Sequence, residues 1–353
     1  MGTSCCYSSP SQEATNLNIE QETAILDNSK EKTLKLDKLQ ETSKPKKINP
    51  LLDVKIVSSH LFDDLKPEHF LDQLTESNKQ NFNTNLFKCS HQDKSYSLRL
   101  LVIDEPFSKQ RILDHIKILE TIQPGTALMP TFYGHFIVND KNFYLIFECF
   151  SNSMRKDIKK KREMEENGFN FKNGLCTHIL KNYFIYLLIG LTFLQSMNVS
   201  HLDLNPENVL LDEDEHLKII DFGLVNDISD LIKMTKSKYD VAIDFMAPEV
   251  LEQVSKGVIK DIIDPYKACV FSVGMILIDV ENGSRQKGMS EEDLKKNITY
   301  SIKQIENQFS EMRIDREKKN TDQRYMLKSL PICLDFDHAK RPDFLELSKK
   351  WNE

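Results

Sequence analysis

Two short apolar runs, Val209–Leu211 and Leu217–Ile220, stand on either side of an acidic turn, Asp212–Glu215. That is the pattern of a β-hairpin. Asp203 and Asn208 precede the first run and Asp221 follows the second. Closing the hairpin brings these three oxygen-bearing side chains together, an arrangement suited to a hard cation such as Mg²⁺ with phosphate. Acids at strand ends are also common without any such role, so spacing alone leaves both readings open.

The residue identities narrow the choice. His201-Leu202-Asp203-Leu204-Asn205-Pro206-Glu207-Asn208, followed by Asp221-Phe222-Gly223, resembles the catalytic and metal-binding loops of the protein kinases. Pro206-Glu207-Asn208 resembles the serine/threonine branch. The resemblance implies an α+β, bilobal fold with a β-rich N-lobe and a mainly α-helical C-lobe. It also implies ATP and Mg²⁺ as cofactors, Asp203 as catalytic base, Asn208 and Asp221 as metal ligands, and a protein substrate or protein partner.

The chain has 353 residues, of which 40% are hydrophobic and 29% charged. A bilobal unit of about 250–300 residues plus a tail fits that length. A net charge of −7 gives no broad basic surface for nucleic acid. Seven scattered cysteines without metal spacing fit a reducing, cytoplasmic setting. The apolar runs Tyr183–Leu194 and Cys269–Val280 are short for a bilayer and read as buried helices.

Three segments follow: a tail over 1–50, the N-lobe over 51–150 and the C-lobe over 151–353. The tail has no aromatic residue between Tyr7 and Phe62, too little apolar area to offset its ordering entropy, so disorder is expected. A weak helix could form over Glu31–Thr42. Met1-Gly2-Thr3-Ser4-Cys5-Cys6 begins like a myristoylation signal, with Cys where the simple pattern has Ser or Thr. One acyl chain anchors only marginally, so Gly2 would need palmitoylation at Cys5 or Cys6 to hold the chain at the cytoplasmic face of a membrane. The alternative is an unmodified tail.

In the N-lobe, strands are expected over Asn85–Ser90, Ser95–Ile103, Pro130–Val138 and Phe143–Cys149, with a helix over Ser108–Ile122. By resemblance, Phe147 is the gatekeeper, and the backbone of Glu148 and Cys149 meets an adenine. Three departures stand out. No glycine lies between Gly2 and Gly125, so the phosphate-covering loop lacks the residue that lets backbone approach phosphates. Arg99 takes the place of the phosphate-binding lysine, with a planar fork in place of a point charge. His115 takes the place of the pairing glutamate, with Asp114 beside it.

The C-lobe resembles the family more closely. Leu180, Phe184, Leu187, Leu191 and Leu194 form one helical stripe over Ile179–Met197, and a charge-rich helix precedes it at Arg155–Glu166. Glu249 of Met246-Ala247-Pro248-Glu249 and Arg341 of Lys340-Arg341-Pro342 are expected to form a buried ion pair. Yet Leu202 stands where an arginine would read an activation-loop phosphate on Thr235, Ser237 or Tyr239. Asn205 replaces the catalytic-loop lysine, Val241-Ala242-Ile243 replaces Gly-Thr-Pro, and Cys269 replaces an aspartate.

Loss of one preorganised charge-stabilising group commonly costs on the order of 10²–10³-fold in rate, non-additively. With four such groups altered, the resemblance implies a pseudokinase, a regulatory or scaffolding module with weak nucleotide binding. The alternative is an active atypical serine/threonine kinase in which Lys88 on the preceding strand, or Arg99 itself, supplies the cation. A different transfer from ATP using Asp203 and Asp221 has no residue of its own to support it.

Overall fold

Period-two alternation in the N-terminal half folds into six antiparallel strands. They are β1 (Ile56–Leu61), β2 (Lys79–Gln80), β3 (Asn83–His91), β4 (Lys94–Val102), β5 (Phe132–Val138) and β6 (Asn142–Glu148), in the order β1-β5-β6-β4-β3-β2. The structure, a computed structural model, describes residues 56–61, 65–80, 83–104, 107–122, 126–168, 175–237, 241–282, 289–311 and 321–351. The tail, with the expected helix over Glu31–Thr42, lies outside them.

The register assigns the two faces of the sheet. Leu86, Arg99 and Leu145 sit directly opposite one another on β3, β4 and β6, as do Lys88, Ser97 and Phe147. Residues paired in this way share a face, so both rows look into the main core and the cleft. The intervening row, Phe87, Leu98 and Ile146, looks outward. There it joins a second core with Tyr96, Phe136 and Tyr144, covered by Leu65 and Phe70. An antiparallel sheet can leave one face in water. Here both faces are covered, which explains why Phe143–Phe147 is apolar without interruption. The cover is a run of single 3₁₀ turns at Pro67–His69, Leu71–Gln73 and Glu76–Asn78. Neither these turns nor the edge strand β1 were expected from the sequence.

Helix α1 (Lys109–Ile122) lies on the inner side, burying Ile112, His115, Ile116, Leu119 and Ile122 at helical spacing. The C-terminal half is helical, as the bilobal α+β expectation requires. Its elements are α2 (Met154–Glu166), α3 (Leu175–Ser196), α4 (Ile228–Lys236), α5 (Pro248–Lys256), α6 (Pro265–Asn282), α7 (Glu291–Glu311), α8 (Thr321–Cys333) and α9 (Phe344–Trp351). A small sheet, β7 (Phe150–Ser153), β8 (Val209–Asp212) and β9 (Leu217–Ile219), lies beside them in that order. Helix α3 is the hub, packing against α6, α8 and α9, with all five residues of its predicted stripe buried. By length and composition Ile179–Ser196 could cross a bilayer, a longer apolar stretch than the uninterrupted run suggests. Most of it is buried inside the protein, as a core helix would be.

Gly190 on α3 sets the depth of the small sheet. A methyl group there would come within 2.7 Å of the Ile219 side chain, so glycine lets β9 lie against the helix. Away from the cleft, Arg341 is fully buried. It pairs with Glu249, donates to the Lys267 carbonyl at 2.8 Å and stacks over Phe271. This is the ion pair expected between the two motifs.

Candidate active site

The β8–β9 hairpin registers Val209 against Ile219 and Leu211 against Leu217. One step beyond, the Ile220 amide donates to the Asn208 carbonyl at 3.0 Å, which brings Asn208 and Asp221 to the same end. Asp221 has a φ of +59°, in the left-handed region that most residues avoid. Gly223 follows at +68°, where a Cβ would meet Ile118 at 2.8 Å. This turn holds the Asp221 carboxylate in the cleft beneath the large sheet.

On the other side of the hairpin, Asn205 folds the loop onto itself. Its Oδ1 accepts from the amides of Glu207 at 2.9 Å and Asn208 at 3.2 Å, an Asx-type turn. The amide nitrogens of Asn205 and Asn208 both donate to Asp203, at its carbonyl (3.0 and 2.8 Å) and its carboxylate (3.3 and 3.2 Å). Asn205, in place of the family's lysine, thus turns its amide inward onto the loop. Burial, with the Asp221 charge nearby, pushes the Asp203 carboxyl up to about 7, against the two amide bonds.

Arg99 reaches down from β4 onto Asp221. Its Nη2 donates to Oδ2 at 2.7 Å and its Nε to Oδ1 at 3.4 Å, with both side chains nearly buried. Despite burial, the guanidinium holds the Asp221 carboxyl below its ordinary range. His115 makes no contact of the kind a glutamate would make to a cation. Its Nδ1 donates to the Phe222 carbonyl at 3.1 Å, and burial lowers its pKa to about 4. His201 is buried and neutral in the same way, also at about 4.

The linker between the lobes begins at Glu148, whose carboxylate pairs with Lys218 on β9 at 3.0 Å and accepts from the Thr131 amide at 2.8 Å. Phe147 is buried, with ring centroids 5.4 Å from Phe132 and 6.2 Å from Phe150. Cys149 is buried beside it. Lys88, the relocated-cation candidate, shares the cleft-facing row with Ser97, but its Nζ lies 3.5 Å from Glu213 on the β8–β9 turn, and both are half exposed.

Several groups at this site had no signal in the motifs. Arg111 on α1 pairs with Asp230 on α4 at 2.7 Å, tying the segment after Asp221 to the N-lobe. Helix α4, capped by Asp227 accepting from the Asp230 amide, buries Ile228, Leu231, Ile232 and Met234. Leu202 is buried in the same core. Arg155 bridges Glu207 and Asp279. Such pairs join residues far apart in sequence and leave no local periodicity to read. Gly2, Cys5 and Cys6 lie outside the described residues.

The fit of a magnesium ion can be read from the donors. A hard cation needs anionic oxygens free to coordinate; the Asn208 amide nitrogen is turned to Asp203, which leaves its Oδ1 available, but both Asp221 oxygens face one guanidinium. Among the described residues no three His, Cys, Asp or Glu side chains gather as a metal group. In this arrangement the residues do not fit the ion.

A six-stranded upper lobe, a helical lower lobe and an Asn/Asp-lined cleft define a kinase-like class of protein. Residues 84–351 match the protein kinase domain, and the chain belongs to the protein kinase family. It is similar to serine/threonine-protein kinase pakH of Dictyostelium discoideum, 30% identical over 181 residues, 51% of this chain and 30% of that protein. Serine/threonine-protein kinase pakF of the same organism is 27% identical over 199 residues, 56% of this chain and 15% of that protein. Human ribosomal protein S6 kinase alpha-1 is 32% identical over 124 residues, 35% of this chain and 15% of that protein. The chain thus spans under a third of the length of these relatives.

Proposed function

We propose that this chain is a pseudokinase, a kinase-fold module that regulates or scaffolds a protein partner. The observation that carries this reading is the fork of Arg99 on Asp221. Phosphoryl transfer depends on positioned charge that is free to act on the phosphate. Here the cation and the carboxylate that would share that work neutralise each other, and His115 is uncharged beside them. The missing glycines above the cleft support the same reading.

One observation favours the alternative, an atypical serine/threonine kinase. Asp203 titrates at about 7, where a general base is most effective. On that reading Arg99 must release Asp221 before any transfer.

Radiolabelled ATP, offered with a generic basic protein as acceptor, separates the two. The pseudokinase reading expects wild type to be indistinguishable from Asp203→Ala and Asp221→Ala. Transfer by wild type that both substitutions abolish overturns it. Anchoring at the cytoplasmic face of a membrane through Gly2 and Cys5 or Cys6 belongs to the same proposal. Alkyne-myristate labelling lost in Gly2→Ala supports it, and absent or equal labelling removes it.

A further inference from the structure

A purine held by a linker between two lobes needs one backbone donor, one backbone acceptor and a flat apolar slot. At Phe150 both backbone groups are already engaged from inside. Its N–H donates to Ser97 Oγ at 2.9 Å, and its carbonyl accepts from Gln80 Nε2 at 3.2 Å. Gln80 Nε2 also lies 3.1 Å from Ser97 Oγ, which closes a three-residue ring. Ser97 has no exposed surface and Gln80 has 8%. Phe147 packs alongside, with Phe132 and Phe150 against its ring.

Gln80 reaches this point because of how its strand is built. It is the last residue of β2 and pairs with Asn83 at the start of β3. A glycine in this position would leave the space below it open. Gln80 instead sends an amide down to Ser97, which the β4 register places on the cleft face two residues before Arg99.

We propose that Gln80 and Ser97 are a built-in plug of the base site, so that this chain turns away purine nucleosides until the two side chains are moved. This deepens the regulatory reading, and rests on the family resemblance in taking Phe150, which directly follows Glu148 and Cys149, as part of the linker turned towards the adenine. Gln80 Oε1 has no partner among the described residues, so the amide is held along one edge. Removing it leaves the Phe150 carbonyl without this donor and open to water or a base.

The probe is adenosine, which has no phosphate and needs no metal, in thermal-shift titration of the full chain. Wild type should show no shift, whereas the Gln80→Ala/Ser97→Ala double variant should bind at least about tenfold more tightly, since each internal bond no longer competes with the base. Amide exchange at Phe150 should be slow in wild type and at least about tenfold faster in Ser97→Ala; equal exchange in the two would mean that Ser97 does not hold this amide and overturns the plug. Wild type binding adenosine as tightly as the double variant overturns the plug and leaves the regulatory reading standing. So does a folded double variant with no gain. Phosphate transfer from ATP by wild type sinks the regulatory reading and the plug with it, since a purine is then admitted.

Discussion

Arg341 and Arg99 make the same kind of contact, a buried guanidinium on a carboxylate, with opposite consequences. Arg341 meets Glu249 within the lower lobe, far from the cleft, while its Nη1 donates to the Lys267 carbonyl and its plane lies over Phe271. Arg99 meets Asp221 across the cleft, joining the upper sheet to a carboxylate that the motifs mark as a ligand group. One pair lies inside a lobe, and the other ties the two lobes together across the cleft. The pairs Lys88–Glu213, Glu148–Lys218 and Arg111–Asp230 extend the second pattern. The lower lobe is held by a pair within itself, while the upper lobe is fastened onto it by pairs across the cleft.

The comparison breaks first at Arg341. Arg341→Ala leaves Glu249 uncompensated in the core and should cost about 3–5 kcal/mol in denaturant unfolding. A loss below about 1 kcal/mol would mean that the pair is not structural. Arg99→Ala should cost less, about 2–3 kcal/mol, because water can enter the cleft and solvate Asp221. It should also create a Mg²⁺-dependent rise in Tm that wild type lacks. A wild type already stabilised by Mg²⁺ would show that the fork opens freely.

Asp203 sharpens the contrast through pH. Its folded pKa of about 7 lies above the ordinary 3.8, so the folded state holds this proton more tightly than the unfolded chain does. That stabilisation is complete below about 3.8 and is lost as pH rises through about 7. Asp203→Asn should therefore match wild type near pH 4 and exceed its Tm by about 2–6 °C at pH 8, a gain of roughly 1–2 kcal/mol. The two buried histidines act in the opposite direction. Their pKa values fall from 6.5 to about 4, so the stability they carry above 6.5 is lost as pH falls towards 4. The smallest effect belongs to Lys88→Ala. This half-exposed pair should contribute at most about 1 kcal/mol and fade with salt. A larger loss, or lost transfer in a wild type that proves active, would restore Lys88 as the relocated cation.

What could be read in advance follows sequence separation. The hairpin around Asp212–Glu215 and the strands flanking α1 are local patterns, and each expected strand lies within a few residues of the observed one. The buried stripe of α3 was legible for the same reason. The Arg99–Asp221 fork joins residues 122 positions apart, and the Gln80–Phe150 bond joins residues 70 apart. Only the substitution itself was visible: an arginine where a lysine is expected, and no glycine over the cleft. The outer cover of the sheet was missed because Leu65 and the Phe70-Leu71 pair stand in a polar stretch of single 3₁₀ turns, without a helix or strand period to announce them.

The order of residues alone decided the family, the two-lobed architecture and which chemical groups line the cleft. These depend on short motifs and on periodicities of two and 3.6 that local geometry imposes. Tertiary structure alone decided what those groups do with one another. Whether an arginine faces a phosphate or a carboxylate, and whether a glutamine points into solvent or into the base site, depends on the register and closure of elements remote in sequence. A buried charge or amide takes the partner that packing brings within reach.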